Sequence, residues 1–137
     1  MNKLTGTITN IQTSGAIMLV DTNVDGHNFS ALLIESATHP EWIKINNTVD
    51  LAFKETEVSL AKGLSGQISL RNRMKCTVLN VERGKLLSTV RMQFGKYSIT
   101  SAVTTRAIVS LQINVGDEVE ALVKANEISL MKIVDEQ

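Results

Sequence analysis

Apolar and polar residues alternate along much of the chain with the period of two that a half-buried β-strand requires. Residues 118–124 alternate charged with apolar side chains, and Val49, Leu51 and Phe53 continue the same pattern earlier in the chain. Similar patterns predict further strands near residues 76–81 and 98–103, with closing strands near 58–60 and 128–130. The pattern therefore predicts a mostly β protein with about five short strands in each half.

One helix-like stretch interrupts the strands in each half, between the third and fourth strands. It covers residues 104–111 in the second half and roughly 38–43 in the first. Thr104 or Thr105 can cap the later helix, and Pro40 is tolerated in a first helical turn. Residues 114–117 (Asn-Val-Gly-Asp) then predict a turn into the fourth strand.

The two halves are copies of one pattern, because many residues recur at an offset of 70 positions. The recurring pairs include Asn2/Asn72, Thr7/Thr77, Asn10/Asn80, Ile43/Ile113, Val49/Val119, Lys54/Lys124, Glu57/Glu127, Ser59/Ser129 and Leu60/Leu130. A period of this length is the size of a small domain rather than a solenoid repeat. We therefore expect a first repeat at 1–62, a linker at 63–68 and a second repeat at 69–137. Each repeat is predicted to form a five-stranded β-barrel of the OB type with one short helix.

Charge and length restrict the possible partners. The 137 residues carry no net charge, but residues 1–68 hold 4 basic against 7 acidic side chains and residues 69–137 hold 10 against 7. The second repeat is thus the better place for an anion, whereas a neutral chain disfavours a nucleic-acid binder. Repeats this small bury little surface alone, so a homo-oligomer is expected. We find no apolar run near the roughly 18 residues of a membrane span and no signal-peptide core, and expect a cytoplasmic protein without a membrane partner.

The residues that usually carry catalysis or bind metals give no pattern here. His27 and His39 both lie in the first repeat and have no histidine at the matching positions of the second. The single cysteine, Cys76, replaces Gly6 of the first repeat inside a predicted strand, and we interpret it as a buried small residue. We predict neither a catalytic site, nor a metal site, nor a cofactor. A binding protein is therefore favoured over an enzyme.

Several polar residues of the second repeat have the chemistry of an anion site. Ser69, Arg71 and Asn72 lead into its first strand, Lys124 ends its fourth, and Thr104 lies where a strand gives way to a helix. A hydroxyl beside free helix-start amides suits an oxyanion, and cations and an amide would complete the cage. On composition alone, a solvated strand start and a simple helix cap are the favoured explanation of these residues.

These residues carry a resemblance to the molybdate-binding Mop family, also called molbindins or TOBE domains, over nearly the whole chain. Its repeat opens with Ser-x-Arg-Asn, places Thr at the junction of third strand and helix, and has Lys-Ala-Ser/Thr before the last strand. Ser69, Arg71 and Asn72 match the first element, Thr104 the second, and residues 124–126 (Lys-Ala-Asn) the third. A tandem pair in one short chain is similar to the two-repeat molbindins.

The resemblance implies a ligand, molybdate or tungstate, and a set of ligand residues. Ser69, Arg71, Asn72 and Lys124 would bind the oxyanion from one chain, and Thr104 would bind it across a subunit interface, as in the family. Such proteins store, buffer or sense molybdate in the cytoplasm, and no cofactor is implied. A dianion held without metal requires converging donors and one or two cations.

The first repeat departs from the family pattern. Ile34 replaces the junction Thr, and Asn2 follows Met1 directly, so the Ser and Arg are missing from this sequence. Only Asn2 and Lys54 persist, with Ser36 as a displaced hydroxyl, and these three are the weaker candidates. In the second repeat, Ala107 stands where the family often has Ser. The first repeat is expected to bind weakly or to serve as a scaffold.

Three functions remain open from the sequence. The favoured one is oxyanion binding for storage, buffering or sensing. The alternative is an oligomerisation or regulatory module that kept the fold and lost tight binding. The third, an OB-type nucleic-acid binder, is disfavoured because only 3 Phe, 1 Trp and 1 Tyr are available for base stacking. The sequence does not distinguish molybdate from tungstate. It also gives neither the subunit number nor whether the first repeat binds.

Overall fold

The computed structural model describes residues 1–34 and 40–133, and they form mainly β-strands. The strands are β1 (Asn2–Ser14), β2 (Ile17–Val24), β3 (His27–Ile34), β4 (Thr48–Phe53), β5 (Ser59–Ala61), β6 (Asn72–Arg83), β7 (Leu87–Phe94), β8 (Tyr97–Thr104), β9 (Glu118–Val123) and β10 (Ser129–Lys132). One α-helix, α1 (Thr105–Leu111), lies in this part of the chain. Two single turns of 3₁₀ helix, Glu55–Glu57 and Ala125–Glu127, follow β4 and β9.

The predicted alternation is confirmed in the strands that were recognised. Val119, Ala121 and Val123 of β9 are buried, as are Ile99 and Ser101 of β8. In β6 the alternation shifts at a β-bulge between Val78 and Asn80, where the pairing with β7 skips one residue. Leu122 is buried as well, so this end of β9 is covered on both faces.

The helix of the second repeat is confirmed, and Thr104 is its N-cap. The matching prediction for the first repeat falls partly on residues 38 and 39, which lie outside the described residues. The rest of it, residues 40–43, forms a turn in which the Ile43 amide donates to the Pro40 carbonyl. Within the described residues no helix is long and apolar enough to cross a membrane.

The strands form two five-stranded antiparallel sheets that exchange their last strands. One sheet has the order β10-β4-β1-β2-β3, and the other has the order β5-β9-β6-β7-β8. The last strand of the first repeat, β5, thus pairs with β9 of the second repeat, while β10 of the second repeat pairs with β4 of the first. Neither sheet is built from one repeat alone.

The exchange follows from the short connections after β4 and β9. Only residues 54–58 separate β4 from β5, and only 124–128 separate β9 from β10. Each connection makes a single 3₁₀ turn, which contacts the third strand of the other repeat: Glu55–Glu57 contacts β8, and Ala125–Glu127 contacts β3. The chain therefore passes over to the neighbouring sheet, and each closing strand completes that sheet.

One continuous apolar core joins the two sheets. It takes large buried side chains from both repeats, among them Phe29, Phe53, Leu51, Met74, Met92, Ile99 and Ile108. Phe29 of β3 meets Phe94 of β7 edge to face, with ring centroids 6.1 Å apart. Because aromatic pairs and buried area dominate core energetics, the repeats stabilise each other rather than folding as independent units.

Candidate functional site

Asn72, a predicted ligand, lies at the contact between the two repeats. It begins β6 and is 0% exposed, although it is a polar residue. Its Oδ1 accepts a hydrogen bond of 2.8 Å from the Ser30 amide, and its Nδ2 donates one of 2.9 Å to the Ser30 carbonyl. The side-chain amide therefore pairs with the backbone of β3 as a neighbouring strand would.

Asn2, one of the weaker candidates, makes the same contact in the opposite direction. Its Nδ2 donates to the Thr100 carbonyl and its Oδ1 accepts from the Thr100 amide, both at 2.8 Å. The side chain is buried, at 5% exposure. The recurrence of Asn at positions 2 and 72 was visible in the sequence, but its partners Ser30 and Thr100 were missed, because a backbone partner leaves no signal in residue type.

Ser69 and Arg71 line an open polar recess of about 500 Å³ together with Gly66, Gln67, Ile68 and Arg73. Arg73 forms a two-pronged ion pair with Glu120, with Nε–Oε2 at 2.6 Å and Nη2–Oε1 at 2.8 Å. This contact lowers the pKa of Glu120 and raises that of Arg73. Arg71 is exposed and has no ion pair within the described residues. Among the described residues, Arg71 is therefore the cation of the recess that no carboxylate pairs with.

Thr104 lies at the start of α1, where the sequence predicted it. Its Oγ1 accepts a hydrogen bond of 3.1 Å from the Ala107 amide and caps the helix. A hydroxyl that accepts in this way keeps its own O–H for donation to another group. Thr104 lines a second recess, of about 720 Å³, with Lys85, Leu86, Thr105, Arg106, Val109 and Ser110.

Lys54 and Lys124 occupy matching positions in the two repeats. Each is exposed and directly precedes a 3₁₀ turn. Lys124 directly follows Val123, the residue paired with Asn72, and its turn contacts β3. Lys54 directly follows Phe53, the residue paired with Asn2, and its turn contacts β8. Each lysine is therefore grouped with the Asn of its own repeat and the third strand of the other.

The structure divides the predicted site into two groups within one chain. Asn72 and the turn after Lys124 contact β3, which ends at Ile34, and Ser69 and Arg71 line the recess just before Asn72 in the chain. Thr104 ends β8, the strand contacted by Asn2 and by the turn after Lys54. Ile34 is paired with Ile17 as Thr104 is paired with Leu87, and it is 86% exposed. Ser36 lies outside the described residues.

The chain contains a sequence match to a known domain. Residues 68–130 match the family model described as TOBE domain. The second half of the chain is therefore similar to a TOBE domain. The resemblance to the Mop or TOBE family is thereby confirmed, and it extends over the part of the chain that holds Ser69, Arg71, Asn72, Thr104 and Lys124.

Two relatives match part of the chain in sequence. The chain is 36% identical over 78 residues to the molybdenum import ATP-binding protein ModC of Brucella abortus, covering 56% of this chain and 22% of ModC. It is 30% identical over 88 residues to the molybdenum-pterin-binding protein MopB of Rhodobacter capsulatus, covering 64% of this chain and 33% of MopB. The chain thus spans about a fifth to a third of the length of these relatives.

A solved structure matches nearly the whole chain. The cytoplasmic molybdate-binding protein ModG, crystallised with molybdate bound, aligns with a TM-score of 0.89 at 25% sequence identity. The alignment covers 95% of this chain and 94% of that one. The match therefore spans both halves of the chain, whereas the TOBE domain model matches the second half.

Proposed function

We propose that this protein binds molybdate or tungstate and serves to store, buffer or sense the oxyanion, without catalysing a reaction. The observation that carries the proposal is the polar recess in which the Arg71 guanidinium has no carboxylate partner among the described residues, close in sequence to the buried anchor Asn72. The molybdate-bound ModG and the molybdenum-pterin-binding protein MopB support this ligand class.

The side chains proposed as ligands supply the positive charges and hydrogen-bond donors that a tetrahedral dianion requires. Arg71 and Lys124 offset two negative charges, and Arg71 supplies several N–H donors in a fixed plane. The hydroxyls of Ser69 and Thr104 add uncharged O–H donors on short side chains. Selectivity among oxyanions then depends on the size and rigidity of the cage as well as on its charge.

A complete cage requires Thr104 together with Arg71, and in one chain they line separate recesses. We therefore infer that the chain forms a homo-oligomer in which a neighbouring subunit brings Thr104 and the first amides of α1 to Ser69, Arg71 and Lys124. The weaker group, Asn2 and Lys54 with Ser36, would form a poorer site in the first repeat.

The architecture supports a binding role. Each sheet is completed by a strand of the other repeat, which supports an OB-type barrel, and we propose that two such barrels stand in tandem. The repeats proposed from the sequence remain residues 1–62 and 69–137, joined by residues 63–68. By similarity to ModG, which is described as cytoplasmic, we place the protein in the cytoplasm, with neither a nucleic acid nor a membrane as its partner and with no cofactor.

The proposal is tested by titration calorimetry with molybdate, tungstate and sulfate at micromolar protein. We expect heat with molybdate and tungstate and much less with sulfate. Lys124→Ala should weaken binding, while Lys54→Ala, which removes the same charge at the matching place of the first repeat, should change it little. Native mass spectrometry of the same samples counts subunits and bound anions. No heat with either metal oxyanion would contradict the proposal.

A second function is favoured by one observation. Ile34 occupies the position of Thr104 in the first repeat, beside the strand that holds Asn72, so the hydroxyl is absent from the in-chain contact. A protein that assembles through this fold without tight oxyanion binding is the alternative. Under it, Lys124→Ala and Arg71→Ala leave calorimetry unchanged, and only substitutions at subunit contacts alter the assembly.

A further inference from the structure

The Asn72 side chain is fully committed to the opposite repeat. Both its amide oxygen and its amide nitrogen are bound to the backbone of Ser30, at 2.8 and 2.9 Å, and the residue has no exposed surface. A ligand in an open recess requires donors that face solvent, and a buried amide that leaves its backbone partner would strand polar groups. The geometry of Asn72 is therefore that of an anchor.

What the anchor holds is the segment that carries the candidate ligands. Arg71 and Ser69 come immediately before β6, in a stretch without regular secondary structure after β5. β6 itself is fixed by pairing with β7 and β9, and its first pair is Asn72 with Val123. Asn72 therefore fixes the start of β6, directly after Arg71, against Ser30 of the first repeat.

The contact is built so that it can be removed without touching Asn72. Ser30 directs both its N–H and its carbonyl at Asn72, whereas its hydroxyl donates to Asp21 Oδ1 at 2.7 Å. The reciprocal contact of Asn2 with Thr100 has the same form, with both hydrogen bonds at 2.8 Å. It provides a matched control, because in this sequence no Arg precedes Asn2.

We propose that Asn72 is a positioning residue of the oxyanion site rather than a ligand: by pairing with Ser30 of the first repeat, it holds Ser69 and Arg71 where they bind the anion. This role rests on the proposed function. It also couples the two repeats, since the recess of the second repeat keeps its shape only while the first repeat holds Asn72.

The test uses three variants of the full chain. Ser30→Pro deletes the N–H that Asn72 accepts and leaves the Asn72 side chain in place. Ser30→Ala keeps the backbone groups and removes only the hydroxyl bond to Asp21. Thr100→Pro makes the same deletion at the Asn2 contact. Circular dichroism and thermal unfolding establish that each variant is folded, and calorimetry with molybdate measures its affinity.

We expect Ser30→Pro to bind molybdate about tenfold more weakly, the effect of one or two lost hydrogen bonds. Ser30→Ala and Thr100→Pro should stay within about twofold of the wild type, because neither contact positions Arg71. Normal affinity in Ser30→Pro, together with a loss in Asn72→Ala, would make Asn72 a direct ligand and overturn the positioning role alone. A wild type without heat would overturn the proposed function, and the positioning role with it.

Amide hydrogen exchange decides the matter if Ser30→Pro does not fold. In ligand-free Asn72→Ala, a positioning role requires faster exchange at Ser30 and at residues 69–71 than in the wild type. Unchanged exchange at residues 69–71 would show that their placement is independent of Asn72 and would overturn the role.

Discussion

Asn2 and Thr100 are 98 residues apart in the sequence and are joined by two hydrogen bonds of 2.8 Å. With the matching pair Asn72 and Ser30, this contact crosses from each repeat to the other. Ser101 adds a third crossing contact, because its buried hydroxyl donates to the Val58 carbonyl at 2.7 Å. The two repeats are therefore joined by strand exchange, by amide pairs and by a shared core, and they should fold as one unit.

Cleavage of the chain between Gly63 and Gly66 should leave the protein assembled. The cut lies after β5, in an exposed segment between the sheets, so both exchanged strands remain in place. We expect the nicked protein to elute from a sizing column as one species with an unchanged β-sheet circular dichroism spectrum.

Fragments 1–62 and 69–137 produced separately provide the control for the cleavage. Each lacks one strand of its sheet and one member of both amide pairs, so each should be unfolded or aggregated until the two are mixed. A fragment that is stable and monomeric alone would contradict the exchange.

Replacing Thr104 should destabilise the protein through the lost helix cap. Thr104→Ala removes the hydrogen bond that its hydroxyl accepts from the Ala107 amide. We expect the free energy of unfolding to fall by about 1 kcal/mol, as for other N-cap residues, and Thr104→Ser to retain most of it. Urea unfolding measures both variants, and equal stability of Thr104→Ala and the wild type would contradict the cap.

Glu127 should make the protein less stable as the pH rises from acid to neutral. Partial burial and a hydrogen bond with the Glu57 carboxyl raise its pKa above the ordinary value of 4.5. The folded state therefore takes up a proton that the unfolded state releases, and this stabilisation, present below pH 4.5, is lost as the pH rises through the raised pKa. Glu127→Gln should raise the melting temperature at pH 7 and reduce the pH dependence between 4.5 and 7.

Glu57→Gln is the matched variant for this carboxyl pair, since it removes the other member. It should raise the melting temperature at neutral pH in the same direction, because either substitution ends the repulsion between the two carboxylates. The same dependence of melting temperature on pH in Glu127→Gln and in the wild type would contradict the coupling.

The sequence predicted the elements of the fold well where a local pattern determined them. Alternation located β4 and β9, and Thr104 marked the start of α1, because side-chain periodicity and caps act within a few residues. The exchange of β5 and β10 was not predicted. It depends on which sheet edge a strand meets after residues 54–58 and 124–128. Because both edges offer the same backbone groups, residue types do not indicate which edge is used.

The candidate site was predicted in composition but not in arrangement. Motif order selected Ser69, Arg71 and Lys124. Ser69 and Arg71 line one recess, and Lys124 begins the turn that contacts β3. Thr104 is found with the other contact, because the third strand of each repeat lies against the first strand of the other. The burial of Asn72 was also not predicted, because the residue type is the same whether the side-chain amide binds an anion or a strand edge.

Cys76 should react slowly with thiol reagents as long as the protein is folded. Its side chain is buried at 3% exposure, as the sequence predicted, and burial raises the pKa of the thiol to about 11. At pH 8 roughly one thiol in a thousand is then the reactive thiolate, and the reagent must also reach a covered sulfur. Reaction with a colorimetric disulfide reagent should therefore be slow in buffer and fast in 6 M guanidinium chloride, about the concentration that unfolds most small proteins.

The wild type serves as its own reference across the unfolding curve, and the fast phase should appear at the denaturant concentration at which circular dichroism reports unfolding. Rapid labelling in buffer without denaturant would show that the strand edge near Cys76 opens, and would contradict the tight packing of β6 against β9.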